Sequence, residues 1–131
     1  VLRVAAKAII EAERSILILK PSANSKWHVP GGIRDDINEA IEETAHREVR
    51  EETGFDLVGR SGRVCMAGEW TAVDKGERVK IMAVFFHYRL SARPSVVLSH
   101  EHVAYAWVNR QNVADYDVTP EVLEIVANIL D

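Results

Sequence analysis

The chain of 131 residues has a single cysteine, Cys65, which leaves no partner for a disulfide and no basis for a Cys-rich zinc site. No apolar run approaches the ~18–20 residues that a membrane-spanning helix requires. The apolar stretch 1–10 is interrupted by Arg3 and Lys7, unlike a secretory leader, so the expected setting is cytoplasmic, with no membrane partner. With seven glycines and four prolines, the chain is neither collagen-like nor of low complexity, and it has no internal repeat and no linker. No nucleic-acid partner is expected.

A composition of 47% hydrophobic and 27% charged residues can bury a core, and the length fits one domain spanning 1–131. The net charge of −4 is unevenly placed. Residues 34–56 hold nine acidic side chains against three arginines, a net −6, and the remaining 108 residues net +2. The whole negative excess thus lies in one short segment, and that asymmetry requires a cause.

Hydrophobic patterning predicts strands over 1–10 and 15–20 joined by a polar turn at 11–14, then a polar loop. Trp27-His28-Val29-Pro30-Gly31-Gly32 ends in chain breakers. The acidic segment predicts a helix over 38–53, with Asn38 as N-cap, Glu39, Glu42 and Glu43 at its positive end, and Gly54 as its stop. Strands are expected over 64–73 and 79–90 around the turn formers Asp74-Lys75-Gly76, with Ile81 to Phe86 covered on both faces. A loop and a last strand over 102–108 follow. A closing helix has Thr119 as N-cap, Pro120 in the first turn, and Val122, Leu123, Val126, Ile129 and Leu130 on one face. The expected class is α/β, a mixed sheet packed between helices.

On the first helix, about 100° per residue sets Ile41, Ala45 and Val49 on one arc. Glu52 falls inside that arc, Glu48 at its edge and Glu51 beside it. Glu42 and Glu43 read as an ordinary solvated face. Carboxylates converging on the inward half of a helix repel one another and lose hydration, and a cation between them relieves both penalties. Oxygen donors without cysteine or clustered histidine select a hard ion, Mg²⁺ or Mn²⁺. Such an ion keeps positions for water and substrate phosphates, and points to metal-assisted hydrolysis at phosphorus.

Gly32, Glu39 and the run Arg47-Glu48-Val49-Arg50-Glu51-Glu52-Thr53-Gly54-Phe55 resemble the Nudix box, a glycine and a spaced glutamate followed by R-E-U-x-E-E-x-G-U with U apolar. Residues 27–32 are similar to the family's lead-in. One departure is the six residues between Gly32 and Glu39, where the family has five; Asn38 stands where the family often has a glycine. The resemblance implies the Nudix α/β/α sandwich with a mixed central sheet, and Mg²⁺- or Mn²⁺-dependent pyrophosphohydrolysis of a nucleoside diphosphate derivative. It also implies metal ligation by Glu48, Glu51, Glu52 and the Gly32 carbonyl, with Arg47 and Glu39 supporting the site. Ser99-His100-Glu101-His102 is similar to a later family segment whose glutamate completes the metal shell or acts as base. Glu48, Glu51 and Glu101 are thus the candidate catalytic carboxylates.

Lys20 and His102 are candidate substrate contacts. His28 reads as structural, Trp70 and Tyr105 as core aromatics, Cys65 as a small buried hydrophobe, and Thr119 as a cap. No proline occurs between Gly54 and Pro94, where relatives that cleave ADP-ribose would place one, so a (deoxy)nucleoside triphosphate is the default small-molecule substrate. The rival reading is a Nudix-fold sensor that binds a nucleotide metabolite without cleaving it. Both a monomer and a homodimer fit the sequence.

Overall fold

A computed structural model describes residues 1–130. Strand β1 (Leu2–Ala12) turns through Glu13 and Arg14 into β2 (Ser15–Lys20). Both turn residues have positive φ, 51° and 63°, which suits a tight two-residue hairpin and lets β1 run two residues further than patterning predicts. β3 (Gly31–Ile33) is followed by α1 (Ile41–Thr53), and the long ribbon of β4 (Arg63–Asp74) and β5 (Glu77–Leu90) leads to β6 (Ala104–Val108). A single 3-10 turn (Val113–Asp115) precedes α2 (Pro120–Asn128).

The sheet order is β4-β5-β1-β2-β6, with β3 added to β1. β1 and β5 run parallel over their full shared length, and the other strand pairs are antiparallel. The α/β class with a mixed sheet between helices is therefore as expected.

Alternation along β1 builds two separate cores. Ala5 and Ile9 join Ile16, Ile18, Phe85 and the α2 residues Val122, Ile125 and Val126 on one face. Ala6, Ala8 and Ile10 join Leu17, Leu19 and the α1 residues Ala45 and Val49 on the other. Each fully buried Ile or Leu contributes about 1.5–3 kcal/mol of hydrophobic stabilisation. The two helices are thus fixed to opposite faces of the same two strands.

Five expectations need correction. Helix α1 begins at Ile41 with Ala40 as N-cap, not at Asn38. The Asp36 carboxylate accepts the Asn38 backbone N–H at 2.8 Å, which holds 36–38 in a turn; Glu43 reaches back to the Ala40 N–H at 3.2 Å. Asn38 is not among the residues with positive φ. Within 81–86 the coverage is one-sided at first, since Met82 is exposed while Ile81, Ala83, Phe85 and Phe86 are buried; α1 reaches only the far half of β5. On α2 the buried arc is centred on Val122 between Ile125 and Val126, which leaves Leu123 facing out, 52% exposed. Tyr105 is exposed and Cys65 only half-buried, its Sγ lying 3.6 Å from the Phe85 carbonyl.

One irregularity positions the site. β1 and β2 are paired only next to their hairpin, at Glu11–Ile16 and Ala12–Ser15, and then diverge. The segment 28–31 enters the gap. His28 exchanges backbone hydrogen bonds with Leu19 of β2, at 2.7 and 2.9 Å, while the Pro30 carbonyl accepts from Ala8 N–H of β1 at 2.8 Å. Gly31 then pairs with Lys7 as β3 begins, a strand that patterning missed in a run of chain breakers. Gly31 has φ 145°, and a Cβ there would collide with the Ala6 carbonyl and the Lys7 stem. Only glycine passes this point.

Candidate active site

The angular order on α1 is reproduced as a gradient of exposure. Glu52 is buried, the Glu48 side chain is 17% exposed and that of Glu51 is 52% exposed. Glu52 is pinned from the glycine segment, where the Gly31 N–H donates to its Oε1 at 2.8 Å. A Cβ on Gly32 would stand 2.5 Å from the Glu48 carboxylate, so the missing side chain is what admits Glu48.

Burial drives the proton affinities here. Loss of hydration pushes Glu52 up to about 7, against the opposing pull of Lys7 and the Gly31 N–H. Glu48 is raised too, first by desolvation and then by Glu51, with Arg47 opposing. Two carboxylates whose charged forms are under-stabilised are what a bound cation would correct.

Arg47 organises the rest. Its guanidinium donates to Glu39 at 2.9 and 3.2 Å, to Glu48 at 3.1 Å, to Glu51 at 3.3 Å and to the Ile33 carbonyl at 3.3 Å. Glu39, which also accepts from Thr44 Oγ1 at 2.7 Å, is held below the usual carboxylate range by these two partners. The six-residue spacer is absorbed in the turn at 36–38, and Glu39 still reaches Arg47. The structure therefore brings Gly32, Glu39, Arg47, Glu48, Glu51 and Glu52 together.

The loop after β5 closes over the C-terminus of α1. Val97 N–H donates to the Thr53 carbonyl at 2.9 Å and Ser99 N–H to the Glu52 carbonyl at 3.2 Å. This brings Glu101 close enough for its charge to raise the proton affinity of Glu52. The same closure sets His102 Nε2 3.8 Å from Glu52 Oε2 and 3.3 Å from His28 Nε2, with the two rings stacked at 5.4 Å.

Sequence patterning missed Lys7. It is 9% exposed and lies on the β1 face that carries Ala5 and Ile9, and its Nζ donates to His28 Nδ1 at 3.1 Å. A charge inside Ala5-Ala6-Lys7-Ala8-Ile9-Ile10 was a visible signal, because a strand buried on that face has no use for it. Burial and Lys7 hold His28 down to about 3, so its ring is neutral. With Lys7 charged, the His28 proton sits on Nε2 and points at His102 Nε2, leaving the His102 proton on Nδ1. That atom is buried without a hydrogen-bond partner.

Lys7 and His28 open into a cavity of about 630 Å³, with Val29, Trp70, Phe85 and Pro120 as its apolar walls and Glu69, Thr119 and Glu121 as polar groups. Trp70 thus faces a cavity as well as core. Lys20 is not among the lining residues; its Nζ lies 5.6 Å from the Trp27 ring. A smaller cavity beside the β1–β2 hairpin, lined by Glu11, Arg14 and Leu90, is remote from these carboxylates in the sequence and the sheet.

The family model for the NUDIX domain matches residues 1–129. The chain belongs to the Nudix family. A nucleoside triphosphatase, NudI, of Klebsiella pneumoniae is 27% identical over 124 aligned positions, covering 84% of each chain. Among solved structures, a MutT protein from Methanosarcina mazei is 29% identical with a TM-score of 0.70, covering 93% of this chain and 87% of its own. The dihydroneopterin triphosphate pyrophosphohydrolase of E. coli superposes with a TM-score of 0.78 at 20% identity, covering 97% and 94%, which is a likeness of fold. As a Nudix hydrolase, the protein is a pyrophosphohydrolase acting on nucleotide derivatives, and this class of enzyme generally uses divalent metals. Among the described residues no helix is long and apolar enough to cross a membrane.

Proposed function

We propose that this Nudix enzyme hydrolyses a phosphoanhydride bond in a (deoxy)nucleoside triphosphate or related nucleotide by attack of water at phosphorus. The observation that carries this reading is the pair of desolvated carboxylates, Glu48 and Glu52, beside the side-chain-free Gly31-Gly32 segment and near a cavity of nucleoside size.

The donor set fits a hard divalent cation, Mg²⁺ or Mn²⁺. Glu48, Glu51, Glu52 and the Gly32 carbonyl would hold it. Among the described residues no three acidic, His or Cys side chains converge on a metal position as they stand, because Arg47 draws Glu48 and Glu51 to itself. When bound, the cation would polarise a phosphoryl oxygen and make water a better nucleophile.

The chain's own residues supply the rest. Arg47 and Glu39 keep the loop 33–40 against α1. The Gly31 N–H fixes the Glu52 carboxylate in one orientation. Glu48, Glu51 and Glu101 are the carboxylates from which the proton acceptor for the attacking water is drawn; of these Glu101 comes from the loop before β6 and the other two from α1. The Trp70 wall offers stacking surface for a base. The Klebsiella relative, a nucleoside triphosphatase, supports a triphosphate substrate.

The test is a panel of nucleoside triphosphates, dinucleoside polyphosphates and ADP-ribose assayed with Mg²⁺ or Mn²⁺ for phosphate and pyrophosphate release. Turnover of triphosphates above the other classes is the expected result. Binding of a nucleotide metabolite with no turnover of any member would assign the chain to sensing instead.

A further inference from the structure

Lys7 has no role in the box chemistry described above, yet it occupies the junction on which that chemistry depends. Its stem lies against Gly31, whose N–H holds Glu52, and its head opens into the cavity next to His28. The cavity lies on the α2 face of the sheet and the carboxylates project from α1 on the opposite face. Segment 28–31 fills the gap where β1 and β2 part, and Lys7, paired with Gly31 at its edge, carries its ammonium on the cavity side with its charge felt by Glu52 and Glu48. A ligand seated in the cavity meets the Lys7 ammonium there.

The electrostatic setting is unusual for a structural lysine. Burial lowers its proton affinity, and Glu52, Glu48 and Glu121 act against that loss. None of the three carboxylates lies within ion-pair distance, however. Among the described residues Nζ has one hydrogen bond, to a neutral imidazole, leaving two of three N–H donors uncommitted there. Burying a cation without a direct partner is costly, and a nearby lysine-to-apolar exchange would relieve the fold. The arrangement has a use if an anion supplies the missing partner.

We infer that Lys7 is the phosphate anchor of this enzyme, binding a non-bridging oxygen of the nucleotide's polyphosphate. His28 aims the ammonium by accepting one of its protons, and His102 supports His28 by stacking on it. Glu69 and Glu121 also line the cavity and disfavour phosphate beside them, so the Lys7 ammonium is the lining group that attracts it. The inference rests on the hydrolase reading for the identity of the ligand but is tested by binding, which does not require turnover.

The experiment measures binding of inorganic tripolyphosphate, dGTP and deoxyguanosine by calorimetry in EDTA at low salt, for the wild type, Lys7→Met and Lys7→Arg. Removing one charge-assisted hydrogen bond should weaken tripolyphosphate and dGTP by roughly ten- to a hundredfold in Lys7→Met, with Lys7→Arg close to wild type and deoxyguanosine unaffected. In steady state KM should rise by a similar factor while kcat changes little. Equal affinity for tripolyphosphate in wild type and Lys7→Met overturns the inference, as does equal loss of deoxyguanosine. Should Lys7→Met fail to fold, the lysine ε-CH₂ resonances of the wild type, with Lys7 assigned from Lys7→Arg, give the same answer. The Lys7 signal must shift on titration with tripolyphosphate, and an unmoved signal overturns the assignment. Nucleotide binding through Lys7 without hydrolysis would sink the catalytic reading and leave the anchor standing.

Discussion

Glu52 shows how one side chain can work against the fold and for the site at the same time. It sits in the apolar arc of α1 with a single backbone donor for its Oε1, and its proton affinity is raised to about 7. Replacing it by glutamine keeps the shape and the acceptor for Gly31 N–H while removing a poorly solvated charge. Glu52→Gln is therefore expected to lose on the order of 10²–10⁴-fold in kcat, the range for removing a group that acts in the chemical step. Its thermal midpoint should stay at or above the wild type's. Assays of turnover and circular dichroism melting on the same preparation would check this, and near-normal turnover would remove Glu52 from the site.

At the scale of elements, the active region is two pieces of backbone tied together by one guanidinium. Arg47 on α1 binds Glu39 and the Ile33 carbonyl of the preceding loop, so the glycine segment and the helix cannot drift apart. Arg47→Ala should lower stability by about 1–3 kcal/mol in urea unfolding, with a larger proportional loss of kcat/KM, because buried acceptors lose their donor. Lysine should restore little, since it lacks the planar fork that serves Glu39 and Glu48 together. Helix α2 offers an independent check on packing. Ile125→Ala should cost about 2–4 kcal/mol by opening a cavity against the sheet, and Leu123→Ala only about 0.5 kcal/mol or less. A reversal of that order would mean that α2 is rotated by a third of a turn.

For the molecule as a whole, the acid–base behaviour of the site sets how stability follows pH. His28 is held down to about 3 in the fold and returns to its ordinary value, near 6.5, when the chain unfolds. The unfolded chain then takes up the extra proton, so stability falls as pH drops through that window, by up to about 1.4 kcal/mol per unit. Glu52 has the opposite sign. Its folded value of about 7 exceeds the unfolded one near 4.5, so its contribution is present at low pH and is lost as pH rises through 4.5 to 7. The two slopes offset each other between about 4.5 and 6.5. In EDTA, urea unfolding of the wild type should be nearly flat over that interval. Glu52→Gln should gain stability with rising pH there, and His28→Gln should lose it. Parallel curves for all three proteins would contradict the assigned proton affinities.

The acidic helix, its inward carboxylates and its Gly54 stop were legible because they depend on local periodicity and on a left-handed cap, φ 74°, that glycine adopts without strain. The charge asymmetry of residues 34–56 was legible for the same reason, being a property of one helix and its loop. The shift of the helix start to Ile41 was not, since the Asp36 side chain accepts the Asn38 backbone N–H and holds 36–38 in a local turn instead. Nor was β3, because Gly31 becomes a strand residue only where Lys7 of β1 offers it a partner twenty-four residues away in sequence. Sequence alone determined which carboxylates share a helix face, because that geometry repeats every few residues. Only the tertiary structure decided that Lys7, Gly31, His28, Glu101 and His102 stand beside them, because strand divergence and loop closure are set by pairings between distant segments, which no local period encodes.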